Sequence, residues 1–205
     1  MTTKDRIIQD AVTLFATQGC KVVTMDDIAT TIGVSKRTIY ENFTDKEDLL
    51  RQCVKYFFGR GQEYVDLVLN SSDNVIDTIL KTIQCRSTFF DTHVKDNFFN
   101  ELHKYFPDVY ESIVMSFRKQ HLDSMQKLLK KGQSDGVFDK NIDTQVISVL
   151  IHEISYSFFR NNIFTTYGLE KQAAIPLFMY IMTRGICTKK GLDILDESKK
   201  EHKNV

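Results

Sequence analysis

The chain has no tryptophan, and only two prolines and nine glycines in 205 residues. Few prolines mean few forced helix breaks, and no Asn-Gly hairpin dipeptide is present. That composition excludes a turn-rich β protein and points to a mostly helical one. Net charge is missing too: 27 basic and 27 acidic residues cancel. A general positive field, the usual attraction to polyanions, is therefore excluded. No apolar run reaches the roughly 18 residues of a membrane helix. The start, "MTTKDRIIQD", lacks the apolar block of a secretory leader. The expectation is a soluble, cytoplasmic protein. Cys20, Cys53, Cys85 and Cys187 form no CxxC pair and no zinc spacing, so four reduced thiols are expected, with a redox-sensing thiol as the alternative. Catalytic motifs are also lacking: no P-loop, no Rossmann glycines, no G-x-S-x-G and no H-E-x-x-H. No enzyme, cofactor or metal is expected. His152-Glu153 reads as packing or a hydrogen bond, and His93, His103 and His121 are disfavoured as metal ligands.

What is there begins with repeated cap signals. Thr2 and Asp5 have capping-box spacing, followed by Ile7, Ile8, Ala11, Val12, Leu14 and Phe15 at helical intervals. Gly19 is expected to end this helix in a left-handed conformation. Thr24 and Asp27 repeat the spacing before Ile28, Ala29 and Ile32, and Gly33 ends that short helix. Ser35 can cap a third helix at once. Two short helices joined by a three- to four-residue Gly turn define a helix-turn-helix. Thr44 to Glu47 reads as a further capping box opening a helix from about Asp45 to Leu69.

Each helical residue turns about 100°. Ile39 and Phe43 then share one face of the third helix and dock inward, with Val34 at the turn. Lys36, Arg37, Thr38, Tyr40 and Glu41 face outward. These residue types suit DNA. Arg37 can pair with guanine, Glu41 can accept from cytosine N4, and Thr38 can meet a thymine methyl. Lys36, Tyr40 and Lys46 can hold phosphates. Thr24 and Thr44 lie at helix starts, where free N–H groups attract phosphate oxygens. The competing reading is the solvated face of an ordinary three-helix bundle. The joint pattern of caps, Gly turn and polar third helix favours DNA.

The segment "TMDDIATTIGVSKRTIYENFTDKEDL" closely resembles the DNA-binding region of the tetracycline-repressor (TetR) family. The resemblance rests on Thr24, Ile28-Ala29, Gly33-Val34-Ser35, Tyr40, Phe43 and Lys46, and covers roughly the first fifty residues. It implies a repressor that binds a palindromic operator as a homodimer and is released by a small-molecule effector. The alternative is a TetR-fold dimer acting as an effector-independent regulator or a protein-interaction module. The DNA-binding positions are then Thr24, Ser35, Lys36, Arg37, Thr38, Tyr40, Glu41, Thr44 and Lys46. Arg37 stands where many members carry a small residue. Residues 1–51 hold seven basic and eight acidic side chains, a net −1 that departs from the usual DNA binder. Binding must then come from the local field of Lys36, Arg37 and Lys46.

The expected organisation is all-α. Residues 1–48 form the three-helix DNA-binding domain, residues 49–195 a larger effector-binding and dimerisation domain, and residues 196–205 a frayed charged tail. Further helices are expected from Asn74 to about Thr92, over "KDNFFNELHKYF" up to Pro107, and from Asp108 to Lys131. "KKGQSDGVFDKNID" is expected to be a loop. Residues 143–164 and about 172–187 are apolar on more than one face, which requires burial on more than one side. The resemblance implies that these two helices pair with their copies in a dimer. Pro176 is expected to kink the second or mark its first turn. Aromatic and polar side chains mix in the middle helices as in a small-molecule pocket. By the same resemblance Phe89, Phe90, His93, Phe98, Phe99, Met115, Arg118, His152, Tyr156 and Phe159 are candidate effector contacts.

Overall fold

A computed structural model of the chain describes residues 2–82, 98–160, 166–169 and 171–202. Among these residues the fold is all-helical, with a single isolated antiparallel bridge between Phe138 and Cys187. Two compact units emerge: residues 1–63 with 89–118, and residues 64–88 with 119–205.

The first unit opens with α1, Thr3–Gln18. Thr2 and Asp5 form the expected reciprocal box, with the Asp5 N–H donating to Thr2 Oγ1 at 3.1 Å and the Thr2 N–H donating to Asp5 Oδ2 at 2.9 Å. Gly19 ends α1 with φ 102° but ψ 142°. That is positive φ without the expected left-handed helical geometry, an exit only glycine makes cheaply. α2, Met25–Ile32, and α3, Lys36–Asn42, follow. Gly33 does take the left-handed conformation, with φ 71° and ψ 37°. α4 runs over Lys46–Ser71 and contributes to both units.

The cap of α4 is one residue later than expected. The Asp48 N–H donates to Asp45 Oδ1 at 2.8 Å, so Asp45 rather than Thr44 caps the helix. Aspartate outranks threonine at this position because its ionised oxygen is the better acceptor at a positive helix end.

α6, Phe98–Tyr105, and α7, Pro107–Val109, complete the unit. Pro107 sits in the first turn of α7, where its missing N–H costs nothing. A widened π turn over Tyr110–Val114 leads into α8, Met115–Ser134, which passes into the second unit. The core gathers Ile7, Phe15, Ile28, Ile39, Phe43, Leu49 and Leu50 with Phe98, Phe99 and Leu102. Arg6 of α1 donates to the last carbonyl of α2, Ile32 O, at 3.1 Å.

In the second unit α5 is described over 75–82 and is capped by Asn74, whose side-chain oxygen accepts from the Ile76 and Asp77 N–H groups at 3.0 and 2.9 Å. α8 runs through Lys130 and Lys131 to Ser134, past the expected loop start. Gly132 is the reason. It reads as a helix stop, yet it lies under the Phe138 ring, which a Cβ there would overlap. The turn proper falls at Asp135-Gly136, where Gly136 has φ 69°.

α9, Thr144–Arg160, is capped by Asp143, and α10 spans Lys171–Ile186 with Pro176 inside it. Residues 196–202 of the expected frayed tail are helical. α11 covers Lys189–His202, with Leu195 fully buried and Ser198 buried. Arg184 holds Asp196 at 2.9 Å. The second core joins Val75, Ile76, Ile79, Leu129, Phe138, Ile151, Met179, Ile186 and Leu195. No described helix is long and apolar enough to cross a membrane.

Cys20, Cys53 and Cys187 are free thiols, and Cys85 lies outside the described residues. Burial pushes Cys20 up to about 12 and Cys187 up to about 11, and raises Cys53 as well. All three are held as unreactive thiols.

Candidate nucleic-acid interface

The α2–α3 turn is built by local chemistry. The Gly33 and Val34 N–H groups both donate to Ala29 O, at 3.0 and 3.1 Å. Ser35 Oγ then accepts the Thr38 N–H at 3.0 Å and opens α3. Ile39 is fully buried and Phe43 nearly so, while Val34 is half-buried against the same core. The expected anchor is therefore in place. Lys36, Arg37, Tyr40 and Glu41 lie exposed. Thr38 is half-buried, and its hydroxyl is 2.8 Å from that of Ser35. This ties Thr38 to the cap and leaves it less outward than the helical-wheel geometry suggests.

The charges of this face are internally matched. Lys36 Nζ lies 2.9 Å from both oxygens of Asp26 at the start of α2, and that hydrogen bond raises its pKa. Arg37 Nε meets Glu41 Oε1 at 2.9 Å, one turn along. Lys46 Nζ donates to Lys21 O at 2.9 Å and lies 5.7 Å from the Phe106 ring centroid. Desolvation lowers the Lys46 pKa. Both ion pairs are largely exposed, where solvent screening leaves such pairs contributing little. Breaking them to reach phosphate or a base edge therefore costs little.

The backbone N–H groups of Thr24 and Thr44 are not free as expected. Thr24 N–H donates to Asp27 Oδ2 at 2.9 Å, and Thr44 N–H to Asp48 Oδ2 at 3.1 Å. At Thr24 this is the reciprocal capping box, which uses the cap N–H by its nature. Hydrogen bonds from the Thr24 hydroxyl, at 2.7 Å, and from the Thr24 N–H hold the Asp27 carboxyl below the usual carboxylate range. Its stabilisation is present above the unfolded-state pKa and is lost as pH falls through the folded one.

A second group of contacts fastens the α1–α2 turn to α6. Glu101 Oε2 accepts the Lys21 N–H at 3.2 Å, and Cys20 Sγ is 3.7 Å from the same oxygen. Lys21 Nζ donates to Tyr105 Oη at 3.3 Å. Glu101 lies about eighty positions from the turn it holds, so no local spacing in the sequence marks it.

The family model for "Bacterial regulatory proteins, tetR family" matches residues 7–53, which span α1 through the first turns of α4. The chain belongs to the TetR family. It is a DNA-binding transcriptional regulator. The chain is 23% identical over 158 residues to the transcriptional repressor KstR2 of Mycolicibacterium smegmatis, covering 75% of this chain and 76% of that protein. It is 34% identical over 76 residues to the negative transcriptional regulator IcaR of Staphylococcus aureus, 37% of this chain and 41% of IcaR. The fold matches the fatty acid degradation regulator FadR of Bacillus halodurans at TM-score 0.75 and 22% identity, covering 89% of this chain and 96% of that one. A TetR-family regulator from Marinobacter aquaeolei matches at TM-score 0.76 and 14% identity, covering 98% of both chains.

The candidate effector contacts of this TetR-family chain are distributed over both units. Phe98 and Phe99 are buried in the first core, their ring centroids 5.3 Å apart. Phe58 lies 6.1 Å from Phe99 and stacks on Phe117 at 5.0 Å. Met115 and Arg118 are half-buried in the same unit. His152 is buried in the second unit, with its Nδ1 3.2 Å from that of His121. Phe89, Phe90 and His93, and the side chains of Tyr156 and Phe159, lie outside the described residues.

Proposed function

We propose that this regulator is a repressor that binds a palindromic operator as a homodimer and is released from it by a small-molecule effector. The observation that carries the DNA half is α3: Ile39 and Phe43 anchor it, and Lys36, Arg37, Tyr40 and Glu41 remain on the open face. A helix so held enters a major groove with its first residues at base edges. Lys36, Tyr40 and Lys46 grip phosphates, with Thr24, Ser35 and Thr44 at the helix starts beside them. Arg37 and Glu41 read bases, and Thr38 supplies a methyl contact. The names of KstR2 as a repressor and IcaR as a negative regulator support repression over activation.

Dimerisation is supported by apolar side chains left in solvent on two adjacent helices. α9 exposes Val146, Val149 and Leu150, and α10 exposes Leu177 and Ile181 at 60% and 58%. Exposed aliphatics at helical spacing fit burial against a second copy. A two-fold dimer sets two α3 helices about one DNA turn apart, or a multiple. The effector reading rests on the mixed aromatic and polar side chains of the first unit around Phe98, Phe99, Met115 and Arg118. The effector acts by binding one dimer state better than the other.

Lys36→Ala and Tyr40→Ala test the DNA half. Each is expected to weaken operator binding about tenfold, the size of one lost charge-assisted contact, while sedimentation still reports a dimer. Unchanged DNA affinity in both variants rejects the α3 interface and favours an interaction module.

A further inference from the structure

His121 on α8 and His152 on α9 stand 31 positions apart in sequence, yet their Nδ1 atoms are 3.2 Å apart and their ring centroids 5.3 Å, tilted by 47°. Both belong to the second unit, and His152 is only 9% exposed while His121 is half-buried. With both rings neutral, one Nδ1 carries a hydrogen and donates, and the other accepts through its lone pair. The fold thus brings two imidazole nitrogens from different helices to hydrogen-bonding distance of each other.

That spacing is the bite of a metal ion. Imidazole nitrogens bind Zn²⁺ at about 2.0–2.1 Å, and a tetrahedral angle then separates two of them by about 3.3–3.4 Å. We infer that His121 and His152 form a bidentate site for an imidazole-preferring divalent cation such as Zn²⁺, Ni²⁺ or Co²⁺. On binding, both Nδ1 lone pairs go to the metal. The ring whose Nδ1 carried hydrogen moves it to Nε2, so a neutral pair loses no net proton.

Among the described residues no cluster of three or more His, Cys, Asp or Glu side chains surrounds a common point. Coordination positions that no protein side chain fills fall to water or to an exogenous anion. A site with two protein ligands and open positions is exchangeable. It suits a reversibly sensed ion or a metal-bridged ligand better than a permanent structural metal. The site is independent of the α3 interface, so either can fail without the other.

The test is titration of the metal-free, full-length protein with Co²⁺ and with Zn²⁺. Calorimetry and the visible absorption of Co²⁺ are expected to show one saturable site per subunit, with a raised Tm at saturation. His121→Gln, at the more exposed position, is expected to abolish it while leaving the far-ultraviolet circular dichroism intact. His152→Gln is expected to do the same. His103→Gln, at an exposed position of α6, is expected to leave it unchanged. A measurement that needs no variant is the imidazole nitrogen spectrum of the wild-type protein. Zn²⁺ should move the Nδ1 signals of two histidines and spare His103. Absence of saturable binding, or a site that survives the His121 substitution, overturns the proposal.

Discussion

α3 and α10 leave opposite kinds of surface open. α3 exposes charge, and each charge already has a partner: Lys36 with Asp26, Arg37 with Glu41. α10 exposes Leu177 and Ile181, whose apolar side chains stand 60% and 58% in solvent. The first surface is comfortable in water and gives up little when its weak pairs are exchanged for phosphate and base edges. The second is not, and gains from burial. On the proposed reading the chain separates two jobs, apolar area for association between copies and a few placed polar groups for reversible, sequence-dependent contact with DNA.

The largest expected effect breaks the apolar side of this contrast. Leu177→Glu with Ile181→Glu leaves two aliphatic side chains per subunit unburied, at about 2 kcal/mol each. Across both subunits the dimer dissociation constant is expected to rise by about 10⁴ or more. Sedimentation should report monomers, and operator binding should fall with it. A dimer of unchanged stability removes α10 from the interface.

A smaller effect sharpens the polar side. With Lys36 and Lys46 as the phosphate-gripping cations of each subunit, a dimer neutralises about four phosphates, which sets a slope near −4 for log K against log salt. Operator affinity measured over a salt series checks this. A slope near −10 requires phosphate contacts beyond these two residues.

The smallest effect concerns the Arg37–Glu41 pair. Glu41→Gln removes one exposed pair, worth about 0.3–0.5 kcal/mol, and one negative charge from the DNA face. Affinity for unrelated duplex is expected to rise about twofold, narrowing discrimination against the operator. Competition binding with both duplexes reads the ratio. A fall in unrelated-duplex affinity contradicts the role given to Glu41.

How much of this was legible in the sequence divides along the line between local and distant contacts. The caps at Thr2, Thr24 and Ser35 and the Gly33 turn are set within four residues, and helical periodicity alone put Ile39 and Phe43 inward. At α4 the choice between Thr44 and Asp45 depended on one more bond, Asp48 to Asp45, and the reading fell one residue early. Gly132 looked like a stop because its reason, the Phe138 ring over its backbone, lies outside its own helix. α11 looked like a solvated tail because its charges outnumber the few residues that hold it, chiefly Leu195 and Ser198. The partners of the cations on the α3 face were equally hidden. Asp26 reads as a first-turn residue of α2, and nothing in its spacing marks it as the acid that meets Lys36. The His121–His152 pair and the Glu101 clamp join positions 31 and about eighty residues apart, beyond any periodic signal.

The central claim is that two α3 helices, related by the symmetry of a homodimer, read DNA through Lys36, Arg37, Tyr40 and Glu41. Selection of bound sequences from a random duplex pool by the purified full-length protein tests it most directly. The account predicts an inverted repeat whose half-sites are centred one helical turn, or a multiple, apart, and whose enrichment is lost with Lys36→Ala. A single asymmetric site, or no enrichment over the starting pool, would contradict it.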